Sequence, residues 1–419
     1  MTLGSLAPEL RTAVPGPASV AAVDRLARHE CPAITARRAR RAATLGTADV
    51  DPIVFAEAVG ANVVDADGNV FVDLCGGFAV ALLGHRHPGV LSAVERQQGR
   101  LLHAMGDAYP DTTRIDLLEQ LAAACPGDLS VSILGLSGAD AVDGAVKTAL
   151  LATGRTGVLS FHGSYHGLSL GTLALQGYKA SFHEPFRAIA HPDVRRLPYG
   201  ASLADVRAAL SGGDIGLVLV EPVLGRGGIR PAPEGWLAGL AEAARSAGAL
   251  VCFDEIQCGL GRTGAPFAGP AAGVVPDLLC VGKALAGGFP LSATVGTPAV
   301  MAAWGASGGE ALHTQTFLGH PVGCAAAQVV LRELASGLCG RVLERGEALV
   351  RAFGTRSHRG LGLMRAVTVR DGLAASRALL QRGFIVLPAG PDSIGLTPPV
   401  CLTDAQIDAF AAALDEVDP

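Results

Sequence analysis

The chain has 419 residues, enough to bury a large core as two domains or as one α/β domain with a smaller one appended. Its residues are 49% hydrophobic and 17% charged, which excludes a disordered chain, and a formal net charge of −5 gives no general attraction for nucleic acid or an anionic membrane surface. Nine cysteines without a C-x-x-C pair suggest neither a zinc knuckle nor a disulfide framework, and no apolar run is long enough to span a membrane, so a soluble cytoplasmic protein without a structural metal is expected.

In chain order, residues 1 to about 50 are rich in Ala, Arg and Pro and read as an extended or partly helical arm. Their one basic cluster, Arg37, Arg38, Arg40 and Arg41, reads as a solvated helical face. The stretch Asn62 to Asp73 sets Asp-Gly-Asn between two apolar β-type runs and predicts a hairpin. From about 115 to 300, short apolar runs such as Gly157 to Phe161, Ile215 to Val220 and Ala249 to Phe253 alternate with helical patterns, the rhythm of a mostly parallel sheet. Between two of them, Pro233 and Glu234 open a predicted helix whose apolar side runs through Leu237, Leu240, Ala241 and Ala244 before Gly248 stops it. The runs Gly362 to Val369 and Phe384 to Leu387 predict a smaller α+β part. The expected division is 1–75 as arm and part of a small domain, 76–321 as the large domain, and 322–419 as the rest of the small domain.

The chemistry concentrates beyond the predicted strands, where open α/β sheets place their ligands. Ser137, Gly138 and Ala139 begin an amphipathic helix through Val142, Ala145 and Ala149, so free backbone N–H groups and the helix dipole suit a phosphate there, although a plain N-cap uses the same residues. In Phe161-His-Gly-Ser-Tyr-His-Gly167, two glycines make a helix improbable. His162 and His166 then lack the i, i+4 geometry of a metal pair, and Tyr165 or His166 is better placed to stack on a planar cofactor. The run ending in Asp254 and Glu255 aims carboxylates at the crevice. The Gly259-x-Gly261-x-x-Gly264 match that follows is weak as a dinucleotide fingerprint, because Ala265-Pro-Phe-Ala-Gly-Pro270 cannot propagate the helix that pyrophosphate needs, and nicotinamide binding would be needed to revive that reading. Lys283 closes another apolar run among small residues, where burial disfavours the ammonium and frees an amine to condense with an aldehyde.

Asp254-x-x-Gln257, an apolar run into Lys283, the Ser-Gly-Ala-Asp helix start and Tyr165-His166-Gly167 together resemble the class III aminotransferases, the 4-aminobutyrate and ornithine type, from about residue 50 onward. The resemblance implies a pyridoxal 5′-phosphate (PLP) enzyme of fold type I, with a mostly parallel sheet in its large domain and a small α+β domain drawn from both termini. It implies that Lys283 holds the cofactor as a Schiff base and shuttles a proton, and that Asp254 pairs with the pyridinium nitrogen. Gln257 would contact the ring hydroxyl, Tyr165 would stack on the ring with His166 beside it, and Ser137, Gly138 and Ala139 would bind phosphate. Glu221 resembles the glutamate of the family's Glu-Pro-Val stretch. Thr316 matches a threonine that reaches the phosphate of a neighbouring subunit, implying a homodimer.

Two positions depart from the pattern. Gly395 stands where glutamate-using relatives carry a carboxylate-binding arginine, and Arg226 stands where they carry its glutamate partner. Arg226 either supplies relocated charge for a substrate carboxylate or is a solvated loop arginine. Phe78 matches a substrate-pocket position and would make that side apolar, or is a core aromatic. Aminotransfer between an amine or amino acid and an oxo acid or aldehyde is the first reading, with racemisation, epimerisation or an aminomutase reaction on the same scaffold as the alternative.

Overall fold

The computed structural model describes residues 2–32, 52–306 and 308–418, so the basic cluster Arg37, Arg38, Arg40 and Arg41 lies outside the described residues. The apolar runs that alternate with helices form one seven-stranded sheet, in the order Val131–Gly135, Ser292–Gly296, Leu278–Val281, Leu250–Asp254, Ile215–Val220, Gly157–Phe161, Val194–Leu197. Ser292–Gly296 runs antiparallel to both its neighbours, and the other six strands share one direction. Helices cover both faces, which is why Ile215–Val220 is apolar without alternation and buried at every position.

On one face the Gly138–Thr153 helix buries Ala141, Val142, Ala145 and Ala149 against the sheet. On the other, the Trp236–Ser246 helix buries Leu237, Leu240, Ala241 and Ala244 in the main core. That helix begins after the predicted Pro233 and Glu234. Gly235, at φ 70°, turns the chain in the left-handed region just before Trp236, and Pro233 instead accepts the Trp236 N–H in a turn.

Two smaller sheets flank this core. The predicted hairpin forms as Asn62–Asp65 against Val70–Asp73, with Phe55–Val59 on one side and Phe384–Ile385 parallel on the other. A C-terminal segment thereby completes a sheet begun near the N-terminus. The leading segment includes the helix Pro17–Ala27 and is fastened to the hairpin by side chains. Asn62 accepts from the Gly4 and Leu6 N–H groups and donates to Leu6 O and Phe71 O. Asn69 accepts from the Arg11 and Thr12 N–H groups. The remaining sheet is antiparallel, in the order His358–Leu361, Met364–Thr368, Ser393–Leu396, Leu387–Pro388.

Candidate active site

Five strands of the large sheet deliver their following residues to one edge. Ser137 follows Val131–Gly135, Tyr165 and His166 follow Gly157–Phe161, and Glu221 follows Ile215–Val220. Asp254 is the last residue of its own strand, and Lys283 comes two positions after Leu278–Val281. Since these strands are parallel, all of these residues lie at carboxyl ends.

Asp254 is 4% exposed, and its Oδ2 lies 2.7 Å from His166 Nδ1, with His166 itself buried. The pair fixes the orientation of both side chains: the imidazole holds the carboxylate through Oδ2, while Oδ1 also accepts the Ile256 N–H at 3.2 Å. His166 Nε2 is buried with no partner. His162 is exposed, so the two histidines of this turn do not form a pair. Glu255, the second acid of the run, points elsewhere. Its carboxylate accepts the Ala268 N–H at 2.6 Å and the Gly269 N–H at 2.8 Å, and burial pushes its pKa up to about 7. It therefore holds the Ala268–Ala271 turn, and only Asp254 serves the crevice.

Lys283 Nζ donates to Gln257 Oε1 at 2.7 Å. Burial pushes the Lys283 pKa down to about 8, against the pull of Glu221 and Asp254, so a neutral amine is accessible near physiological pH. Its backbone sits at φ 41°, in the left-handed region that a side chain rarely adopts. Glu221 is occupied by backbone: Oε1 accepts the Tyr165 N–H at 2.8 Å and Oε2 the Gly225 N–H at 2.9 Å. It staples the turn carrying Tyr165 to the loop carrying Arg226, and burial pushes its pKa upward.

The Gly138–Thr153 helix opens toward this edge. Ser137 Oγ caps it by accepting the Asp140 N–H at 3.2 Å, which leaves the Gly138 and Ala139 N–H groups at its first turn without intrahelical partners. Space at Gly138 is tight, since a Cβ there would stand 3.0 Å from the Ile256 side chain.

Arg226 is exposed, and its guanidinium lies 4.2 Å from the centroid of the half-buried Tyr165 ring. Tyr165 also meets Phe182 edge-on at 6.4 Å, a contact that no sequence signal announced. Gly395 lies buried in the strand Ser393–Leu396; a Cβ there would meet Ile229 Cδ1 at 3.0 Å and Ala389 Cβ at 3.1 Å. The space beside it is thus apolar. The nearby Arg359 was not singled out from the sequence, and its guanidinium is committed to Gly228 O, Ser393 Oγ and Ala389 O. Thr316 stands exposed on the turn before the Pro321–Ala335 helix, and no hydrogen bond joins it to the other predicted residues. Phe78 is 59% exposed rather than a core aromatic.

A helix N-terminus free for a phosphate, a buried acid free to face a ring nitrogen, an unpartnered imidazole nitrogen and a low-pKa amine fit PLP residue by residue. The fold and the site define a PLP enzyme of the aminotransferase kind.

Comparison with known proteins gives the same class. The family model Aminotransferase class-III matches residues 46–417. An acetylornithine aminotransferase of Mycobacterium tuberculosis is 38% identical over 395 residues, covering 91% of this chain and 96% of that protein. A 5-aminovalerate aminotransferase of Pseudomonas aeruginosa is 32% identical over 420 residues, covering 91% and 96%. An ornithine aminotransferase structure from Toxoplasma gondii matches with a TM-score of 0.79 at 26% identity, covering 88% of this chain and 89% of that one. The chain belongs to the class III aminotransferases and is a PLP-dependent aminotransferase. These relatives are all named for amino transfer, and none of them lends support to racemisation, epimerisation or an aminomutase reaction.

Proposed function

We propose that this aminotransferase works through Lys283 and Asp254, on an amino substrate whose distant carboxylate is met by Arg226. The observation that carries the reading is the convergence of the Lys283 amine and the Asp254–His166 pair at the ends of two adjacent parallel strands. When bound, the cofactor supplies an electron sink for charge developing at the carbon that bears the migrating nitrogen. Asp254 would hold the proton on the ring nitrogen, and His166 Nδ1 keeps that carboxylate in place. Lys283 Nζ would serve as the base that takes the proton from the substrate carbon and delivers it to the cofactor carbon bonded to the migrating nitrogen. Gln257 fixes the amine's position and would face the ring hydroxyl, Tyr165 would back the ring, and the Gly138 and Ala139 N–H groups would hold the phosphate.

The substrate reading follows from charge. Acetylornithine and 5-aminovalerate, for which the relatives are named, each carry a primary amine separated by methylenes from a carboxylate. At Gly395 the surrounding side chains offer no cation, and Arg359 is already bonded, whereas Arg226 has no carboxylate partner among the described residues. Arg226 thus remains open to a substrate anion.

The same reading includes a second copy of the chain. Leu102, Met105, Tyr109 and Phe317 are exposed on two touching loops, and Thr316 lies among them, where a partner's phosphate would meet it. Sedimentation is expected to give twice the chain mass of 42.4 kDa. A cytoplasmic location rests on nine free cysteines; no single helix among the described residues is long and apolar enough to cross a membrane.

The decisive experiment follows the cofactor's absorbance while ω-amino acids and plain amines are added without an oxo acid. Conversion to the amine form of the cofactor by an ω-amino acid supports the proposal. Loss of optical activity in an amino acid without that conversion would replace it with racemisation.

A further inference from the structure

Residues Gly76, Gly77, Phe78 and Ala79 take φ values of 55°, 56°, 64° and 70°, one complete left-handed turn. For each non-glycine residue this conformation costs about 1–2 kcal/mol, and such strain persists only where the surroundings over-determine it. Three side chains do so here. Asp73, 1% exposed, accepts the Cys75 and Gly76 N–H groups on Oδ1 and the Gly77 N–H on Oδ2, each at 2.9 Å, while His85 Nε2 lies 2.8 Å from Oδ2. Arg262, fully buried, donates to Ala79 O at 3.2 Å and to Pro398 O at 2.5 Å. Thr397 Oγ1 donates to Cys75 O at 2.7 Å, and its carbonyl oxygen fills the place where a Cβ on Gly76 would stand. The turn is thereby fastened to the chain just beyond Gly395.

What this fastening presents is a single phenyl ring. Gly76 and Ala79 are buried, but Phe78 is turned out of the core. The turn packs against the segment Lys283–Ala286, and a cavity of about 690 Å³ opens beside it, lined in part by Gly77, His85, Arg86, Gly287 and Gly288. A ring held in strained backbone and left unburied next to the catalytic lysine's segment is not there for the core.

We propose that Asp73, Arg262 and Thr397 are positioning residues that hold Phe78 against the substrate, none of them touching substrate themselves. This rests on the reading of Phe78 as a substrate contact, and the test separates the two.

The test uses steady-state kinetics of the holoenzyme with the donor identified by absorbance. Phe78→Ala is expected to raise its KM with kcat changed by less than about twofold. Thr397→Val keeps the side chain's shape and deletes one hydrogen bond; it is expected to raise the same KM by about twofold to tenfold with the cofactor absorbance unchanged. In the Phe78→Ala chain, Thr397→Val should add nothing, because its effect passes through the missing ring. Asp73→Asn should repeat the pattern, so the test does not depend on an Arg262 variant that fails to fold. If Thr397→Val leaves KM unchanged, or raises it equally in both backgrounds, the positioning role is overturned while Phe78 stands. If Phe78→Ala leaves KM unchanged while Thr397→Val raises it, the reading of Phe78 is what falls.

Discussion

On the side proposed for the cofactor, Asp254, His166 and Lys283 stand at strand ends, buried or half-buried, with Asp254 and Lys283 each hydrogen-bonded to a second residue of the site. On the side proposed for the substrate, Arg226 and Phe78 lie outside the large sheet, both exposed, and Gly395 carries no side chain. The first region is fixed by the sheet itself, so its chemistry comes with the fold. The second can change one residue at a time without disturbing the sheet, and that is where this chain departs from the pattern it resembles.

Lys283→Ala separates the two sides most strongly. Loss of the amine is expected to lower kcat on the order of 10³-fold while leaving the protein folded, and retention of turnover would remove the lysine from the cofactor side altogether. Arg226→Ala should act only on the substrate side. It is expected to raise KM for a carboxylate-bearing substrate about tenfold or more, with kcat held and no change for an amine lacking the carboxylate. An unchanged KM for the carboxylate-bearing substrate would make Arg226 a solvated loop arginine.

A smaller effect concerns pH. Burial lowers the Lys283 pKa, so the neutral amine appears as pH rises through about 8 rather than 10.5. Capture of PLP by the cofactor-free protein, followed by absorbance, should therefore rise with pH and level off above that point. A midpoint near the ordinary lysine value would show the amine to be solvated. The smallest effect on activity belongs to Glu255→Gln. Because the folded-state pKa of Glu255 is raised to about 7, its contribution favours folding at low pH and is lost as pH climbs from about 4.5 to 7. Relative to the parent, the variant should gain on the order of 1 kcal/mol or more in denaturant stability across that window. Parallel stability curves would contradict the burial of that carboxylate.

Much of the cofactor side was legible because strand ends and helix starts leave local signatures. An apolar run stopping at Asp254, another stopping at Lys283, and Ser137-Gly138 before an amphipathic helix each show their place in the fold within a few residues. Glu255 was harder. Alternation along a strand says that neighbours face opposite ways, but not which of two acids faces the crevice. Arg262 was illegible for a different reason: its acceptors Ala79, Leu363 and Pro398 are 183, 101 and 136 positions away, and nothing near it in sequence names them. The left-handed turn announces itself through Gly76 and Gly77, yet Phe78 and Ala79 continue it against their own preference. Only the distant carbonyl contacts and Asp73 make that choice intelligible.

The way Asn62 is used has a consequence at the opposite end of the small sheet. Its amide, with no exposed surface, acts as a peptide group turned sideways, and the backbone at Gly4 and Leu6 completes it. Clipping even the first six residues would leave that amide enclosed without those partners, at about 1–3 kcal/mol for each group stranded. The leading residues therefore behave as an internal component of the hairpin, and a protease acting at the outermost tip of the molecule would be felt in its interior.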